Sequence, residues 1–332
     1  MTFTLAHLSD PHLPMPPARA GELLGKRLTG YVNWWRHRVR LHRPEALAGI
    51  VADLEAQQPD HIALTGDLAN ISLPAEFRRA ADWLAALGSP HDVTLVPGNH
   101  DVYVATRWPE TLGLWGAWLA GDGAPPAASF DVFPTQRRRG PVALVSLSSG
   151  VPKPPFFATG TLGEAQIARA ERLLAELGRE GLCRVVLIHH PPLTTEKRTK
   201  RLTDAAAFQA MIRRVGCEIV MHGHNHRSEL ARIAGPAGPV PVLGVASASA
   251  APDSKYGAAR YHLIRISGET GAWRLDVEMR TLRDDCAGCV SDGHLVFLPD
   301  RGRPARSFRN QGNDLSGRDA RGPHESSARS RP

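Results

Sequence analysis

The hydrophobic positions of the chain follow two rhythms. Short continuous apolar runs at 3–8, 62–65, 93–96, 142–147, 185–188 and 219–221 have the length and β-branched content of strands buried on both faces. Between them, apolar residues recur at three- and four-residue spacing, the period of an amphipathic helix. Leu47, Ile50, Val51 and Leu54 form one stripe on a helix that opens at Pro44-Glu45, where a proline loses no hydrogen bond. Phe77, Ala81, Leu84 and Leu87 mark a helix over 74–87, and Gly88 stops it. Ile167, Leu173, Leu174 and Leu177 mark another over 162–179; Phe208, Met211, Ile212 and Val215 mark a third over 204–215, ended by Gly216. Strands alternating with helices in this way predict an α/β architecture. Past His226 the rhythm changes. Residues 240–245, 260–266 and 273–281 read as strands with no helix between them, and 268–271 as a hairpin loop. These later strands predict a second sheet packed on the first. From 299 onward Arg, Gly, Ser, Asp and Asn dominate, so the pattern predicts one domain over 1–298 and a disordered tail over 299–332.

Composition narrows the classes. A hydrophobic fraction of 42% over 332 residues supports a full core. No run of about 18 apolar residues exists to span a membrane. The N-terminus lacks a charged segment followed by an apolar one, so a cytoplasmic location is expected. Four cysteines are too few for a disulfide scaffold. Cys183 and Cys217 lie in apolar settings and read as core thiols, and Cys286-x-x-Cys289 lacks the second pair that a zinc ribbon needs.

The net charge of +7 is unevenly spread. Residues 19–43 hold seven Lys or Arg against one Glu, and 300–332 hold eight Arg against four acids, which leaves the remainder slightly acidic. A general nucleic-acid surface is not implied; a patch that steers anionic substrates or lipid headgroups is. Much of the basic charge lies in a segment, 14–43, that interrupts the strand–helix alternation. There Leu28, Val32, Trp35 and Val39 recur at helical spacing beside Arg36, Arg38 and Arg40. Three readings are open: a helix packed on the domain with a solvated basic face, a lid over a site, or an anchor on anionic lipid through residues 24–43. A second basic run, 197–201, suits either a distal phosphate or an exposed loop.

Five polar clusters carry the chemistry: Asp10-Pro11-His12, Gly66-Asp67, Gly98-Asn99-His100-Asp101, His189-His190 and His222-Gly223-His224-Asn225-His226. Each follows a predicted strand. Parallel strands deliver their last residues to one sheet edge, so the clusters are expected to converge. Asp10 and His12, two apart, can grip one ion together, as can His224 and His226. Asp67 has two oxygens, enough to bridge two ions; Asn99 adds a neutral carbonyl and His189 an imidazole. Nitrogen and oxygen donors without thiolate suit Mn, Fe, Zn, Ni or Co, and imidazoles argue against calcium. Two such ions clamp both oxygens of a phosphoryl transfer and acidify water. The chain has no G-x-S-x-G elbow, P-loop or G-x-G-x-x-G that would point elsewhere. His100 is expected to face substrate and protonate the leaving oxygen, and Asp101 to hold its imidazole by a hydrogen bond or to cap the turn. His7 reads as structural. His189 rather than His190 is expected to bind metal, with His190 and His222 behind the ligands.

In these residues the chain resembles the calcineurin-like metallophosphoesterase superfamily over 3–281. Ser9-Asp10-x-His12-Leu13 and His189-His190-Pro191-Pro192 resemble its bacterial cyclic-nucleotide phosphodiesterase-like branch, which includes glycerophosphodiesterases. The resemblance implies an α-β-β-α four-layer sandwich of two mixed sheets. It implies one cation, divalent or in a mixed-valence pair, on Asp10, His12 and His226, and a second on Asn99, His189 and His224. Asp67 would bridge them and His100 would be the catalytic histidine. The activity implied is phosphate-ester hydrolysis, with a phosphodiester favoured, by in-line attack of metal-bound hydroxide on a small substrate. The 14–43 segment departs from the family pattern, so substrate analogy is weakest there. Two alternatives follow. One is a lipid-directed pyrophosphatase resembling UDP-diacylglucosamine hydrolases, which would use the Trp-containing insertion; the other is a non-catalytic scaffold that keeps the fold.

Overall fold

A computed structural model describes residues 2–298; the tail over 299–332 lies outside the described residues. Twelve strands occur in chain order: β1 (Phe3–Leu8), β2 (His61–Leu64), β3 (Val93–Leu95), β4 (Thr135–Arg139), β5 (Val142–Ser146), β6 (Cys183–Leu187), β7 (Ile219–His222), β8 (Glu229–Gly235), β9 (Gly238–Gly244), β10 (Arg260–Ser267), β11 (Arg274–Leu282) and β12 (Cys289–Phe297). The helices are α1 (Lys26–Asn33), α2 (Val39–Leu41), α3 (Pro44–Gln57), α4 (Pro74–Leu87), α5 (Gly116–Leu119), α6 (Glu164–Arg179) and α7 (Ala205–Val215). The strands form two six-stranded mixed sheets, ordered β12-β11-β10-β1-β2-β3 and β4-β5-β6-β7-β9-β8.

The continuous apolar runs are two-sided, and this builds the layers. In β1, Leu5 joins a core shared by the two sheets, while Ala6 and Leu8 face the core that contains α3 and α4. In β6, Val185 and Leu187 enter the shared core, while Val186 and, just past the strand, Ile188 join the core that contains α6 and α7. Strand residues alternate in direction, so one run feeds two cores. The result is helix, sheet, sheet, helix, the α/β four-layer sandwich of two mixed sheets.

One expectation is corrected. The strands after His226 do not make a sheet of their own. β9 runs parallel to β7 with β8 antiparallel outside it, in the second sheet. β10 returns to lie antiparallel to β1 and extends the first sheet through β11 and β12. The reason is burial on both faces: β10 sends Leu263 to the helix side and Ile264 and Ile266 to the shared core. Three further strands escape the hydropathy pattern. β4, β8 and β12 are sheet edges whose exposed positions include Arg138, Arg232, Asp292 and His294, charged or polar residues that discourage edge pairing, beside exposed Leu230, Val290 and Val296. Cys183 and Cys217 are buried free thiols, as expected, and Cys286 and Cys289 pack beside the α3 core without a disulfide.

Candidate metal centre

The five polar clusters do meet, but not along a single sheet edge as expected. Asp10, His12, Asp67 and Asn99 follow β1, β2 and β3 of the first sheet; His189, His224 and His226 follow β6 and β7 of the second. The loops that make this turn are strained. Asp10, His12, Asp67, His224 and His226 all have positive φ, between 37° and 71°. Left-handed backbone at a non-glycine residue costs on the order of 1–3 kcal/mol and persists only where surrounding contacts fix it. Those contacts are visible. Asp10 and His12 donate backbone N–H groups to the carbonyls of Gly66 and Asp67, at 2.9 and 3.1 Å. Ser247 Oγ donates to the Asp10 carbonyl at 2.7 Å, and the His224 N–H donates to Asp10 Oδ2 at 3.0 Å. Two glycines allow the close approach. A Cβ at Gly66, itself at φ 95°, would lie 2.9 Å from His189 Nδ1; one at Gly223 would collide with Ser9 and Asp10.

Side-chain donors converge at two points. At the first, His12 Nε2 lies 3.3 Å from His226 Nε2, and His226 Nε2 lies 3.2 Å from Asp10 Oδ1. At the second, Asn99 Oδ1 lies 3.1 Å from His189 Nε2 and 2.8 Å from His224 Nδ1, and those two nitrogens are 3.3 Å apart. Asp67 Oδ2 stands between the points, 3.3 Å from His189 Nε2 and 4.0 Å from His12 Nε2. Imidazole nitrogens aimed at one another, with carboxylate and amide oxygens at the same spot, are a cation's donor set. Asp10 Oδ1 is buried with no hydrogen-bond partner of its own. A buried polar atom left this way needs a ligand to satisfy it. The residues therefore fit two metal ions.

The electrostatics show that the centre stabilises positive charge beside Asp67, held as a proton on His189 when no cation is bound. Burial opposes the charge of Asp67, but His189 and His100 outweigh it and hold the carboxyl well below the usual range. Burial would neutralise His189, yet Asp67 pulls its pKa up to about 9. Burial, with His42 and Arg38 for His12 and with His190 and His189 for His224, keeps those two imidazoles neutral, the form that binds metal.

His100 lies beside both points. Its backbone N–H donates to Asp67 Oδ1 at 2.7 Å, its Nδ1 donates to the Asn70 carbonyl, and its ring stacks on Tyr103 at 5.5 Å. Nε2 is thus the ring nitrogen left to meet a substrate. Burial, followed by Arg38, lowers its pKa to about 3. The expected link from Asp101 to this imidazole is corrected. The Asp101 carboxylate instead accepts backbone N–H groups from Asp67 and Gly98 at 2.8 Å and from Ala69 at 2.9 Å. It ties the β2 and β3 loops together, nearer to the turn-capping alternative. Burial and the Asp67 charge raise its pKa to about 7.

Of the remaining histidines, His190 brings a ring nitrogen within 4.8 Å of those of His189 and His224, but its nitrogens have other partners. His7 Nε2 meets Thr65 Oγ1 at 3.0 Å. His190 spends both ring nitrogens on Ser149 Oγ and the Ala158 carbonyl, at 2.8 and 3.2 Å. His222 Nδ1 donates to the Gly223 carbonyl at 3.0 Å.

Two residues missed in the sequence reach the site from the insertion. His42 places an imidazole nitrogen within 4.8 Å of those of His12 and His226, and its Nδ1 lies 2.9 Å from Ser249 Oγ. Arg38 Nη1 approaches His100 Nδ1 to 3.3 Å. His42 closes the insertion just before the α3 proline, a signal that was available. Nothing in the sequence separates Arg38 from the other arginines around it. The apolar stripe is also reversed from the packed-helix reading: Leu24, Leu28, Val32, Trp35 and Val39 are exposed, Trp35 at 64%.

The calcineurin-like phosphoesterase profile matches residues 3–228. Over 232 residues the chain is 28% identical to a probable cyclic nucleotide phosphodiesterase of Synechococcus sp., a match covering 69% of this chain and 75% of that one. It is 27% identical to a glycerophosphodiester phosphodiesterase of Enterobacter lignolyticus over 191 residues, covering 54% of this chain and 61% of the relative. In fold it resembles a dimetal phosphatase from Danio rerio, with TM-score 0.59, 13% identity, and 90% and 99% of the two chains covered. A purple acid phosphatase from yellow lupin gives TM-score 0.56 at 14% identity, covering 91% of this chain and 54% of that one.

Proposed function

The chain belongs to the calcineurin-like phosphoesterase family, and on that premise we propose that it hydrolyses a small phosphate ester, a phosphodiester in preference to a monoester, with two cations. The observation that carries this reading is the convergence of Asp10, His12, Asp67, Asn99, His189, His224 and His226 on two adjacent points. Asp10, His12 and His226 would hold one ion, Asn99, His189 and His224 the other, with Asp67 between them; Mn, Fe, Zn, Ni or Co suit these donors. When bound, such a pair withdraws charge from phosphoryl oxygens and makes water acidic enough to supply hydroxide near neutral pH.

The protein's own groups do the rest. The strained loops hold the donors without reorganisation, because their backbone groups are already hydrogen-bonded to one another. His100 Nε2 is the atom from which a proton would pass to the departing oxygen, once the substrate's negative charge offsets the burial and the Arg38 field that lower its pKa. Its Nδ1–H bond to Asn70 and the stack on Tyr103 fix the ring's direction. The likeness to a probable cyclic nucleotide phosphodiesterase and to a glycerophosphodiester phosphodiesterase supports a diester substrate. Among the described residues no helix is long and apolar enough to cross a membrane. The four thiols, none in a disulfide, suit a reducing compartment, which supports a cytoplasmic location. Turnover of bis(p-nitrophenyl) phosphate tests the reading. Activity should vanish after exhaustive chelation and return with Mn²⁺; full activity without metal would overturn it.

A second reading, a lipid-directed phosphoester or pyrophosphate substrate, is favoured by one observation. The exposed stripe Leu24, Leu28, Val32, Trp35 and Val39 runs beside exposed Arg36 and Arg40, which suits an anionic bilayer surface. Sedimentation with phosphatidylglycerol vesicles separates the two readings. A free-substrate enzyme stays in the supernatant.

A further inference from the structure

From α1 onward the insertion is held at both ends, and between them Arg38 reaches His100 beside the metal centre. At its start, Lys26 Nζ donates to the Tyr103 carbonyl at 2.9 Å, and Arg27 donates to the carbonyls of Ile71 and Ser72 at 3.3 and 2.6 Å. Gly30 packs so closely that a Cβ there would lie 2.7 Å from both Ile71 and Tyr103. At its end, the Arg43 N–H donates to the Ser249 carbonyl and the Ala251 N–H to the Leu41 carbonyl, each at 2.8 Å. Between the anchors the helix widens into a π-helical turn over Trp34–Arg38. Such turns shift the register of side chains and are frequent at functional sites. Here the turn leaves Arg36, His37 and Arg40 exposed and draws Arg38 inward, half-buried, to His100.

Arg38 Nη1 meets His100 Nδ1 at 3.3 Å, but that nitrogen already donates to the Asn70 carbonyl, so it has no lone pair for the guanidinium. Burial opposes the guanidinium charge, and the fields of Asp67 and Asp10 support it. Cations on Asp67 and Asp10 would cancel that support and leave the guanidinium facing positive charge in a partly desolvated place. An anion between the guanidinium and the cations reverses the sign of that interaction.

We propose that Arg38 is a substrate-binding residue whose guanidinium grips non-bridging oxygens of the phosphoryl group, so that the insertion supplies part of the binding site. This rests on the phosphoesterase reading and names what holds the substrate there. Arginine suits the task because its planar fork pairs with two phosphoryl oxygens at once. The role also accounts for the double anchoring, since a residue on a free-swinging segment would bind weakly.

The test uses the full-length, Mn²⁺-loaded protein and inorganic phosphate as the probe. Calorimetric titration with phosphate is run beside steady-state turnover of bis(p-nitrophenyl) phosphate, for wild type, Arg38→Ala and Arg38→Lys. Arg38→Ala should weaken phosphate binding and raise KM, each roughly tenfold to a hundredfold, at unchanged metal content and melting temperature. Arg38→Lys should fall between, and millimolar guanidinium should partly restore Arg38→Ala. Wild-type phosphate affinity in Arg38→Ala overturns the proposal. So does a fall in kcat alone, which would make Arg38 a positioning residue for His100. If Arg38→Ala loses metal or melts early, the lysine variant decides: wild-type phosphate affinity and no sensitivity to guanidinium contradict the role. A wild type that binds phosphate but turns over no ester sinks the phosphoesterase reading alone, and the titration still decides Arg38.

Discussion

The strand-end loops and the insertion reach the same centre by opposite means. The loops are buried, carry strained backbone at five of the proposed ligands, and are knitted together by Asp101 and by short backbone bonds. The insertion exposes its apolar stripe and docks through cationic side chains on carbonyl oxygens. The geometry of the proposed ligands is thus stored in the buried loops at the strand ends, where sequence change is costly. The insertion is a surface element, and substrate preference there can change without disturbing the ligands. The comparison predicts that damage to the loops removes metal and chemistry together, whereas damage to the insertion alters binding and leaves metal in place.

The largest effect should come from Asp67→Ala. Removal of the group between the two points is expected to release both ions and bring turnover to background, read by elemental analysis and by diester hydrolysis. Retention of both ions would separate the loops from metal binding and break the comparison. His100→Ala comes next. It should keep its metal and lose about 10²–10⁴-fold in kcat, with the smallest loss for substrates whose leaving group is acidic. A variant that also loses metal would make His100 part of the cradle. On the other side of the comparison, Trp35→Ala should leave turnover of a soluble diester unchanged. If the stripe meets lipid, the same variant should weaken binding to anionic vesicles roughly tenfold. Equal sedimentation of both proteins would remove the lipid reading.

The smallest effect concerns the sheets themselves. Burial, then Arg260, holds the pKa of His262 down from 6.5 to about 3. Burial, then Arg139, does the same for His61. Below 6.5 the unfolded chain takes up protons that the folded chain refuses. Their contribution to stability is therefore fully present above pH 6.5 and falls away as the pH drops toward about 3. Urea midpoints of chelated protein should fall with pH through this window. His262→Phe should flatten the slope, since both ring nitrogens of His262 are buried without partners. An unchanged slope would contradict the assignment.

What the sequence made legible follows the same division. The ligand clusters stood out because each polar group ends an apolar run, and strand ends leave little choice of direction. The partition of strands between sheets was not legible: a two-sided run such as β9 or β10 fits either sheet, and periodicity does not name a neighbour. Edge strands were lost because a charged outer face mimics a loop, as in the Thr135–Arg139 strand. Spacing placed Asp101 beside His100, but it did not reveal that backbone N–H groups would outcompete the imidazole for the carboxylate. The insertion misled most. Hydropathy expects an apolar stripe to face inward, and here the inward edge is buried Gly30 with half-buried Lys26, Arg27 and Arg38. Bonds from cations to carbonyl oxygens leave no mark in a hydrophobic pattern.

The central claim is that these loops close around a pair of cations. Anomalous diffraction from Mn²⁺-soaked crystals tests it most directly. The account predicts two peaks roughly 3.5–4 Å apart. One should lie among Asp10, His12 and His226, the other among Asn99, His189 and His224, with Asp67 between. No peak at either point at saturating Mn²⁺, or peaks only at other residues, would contradict it.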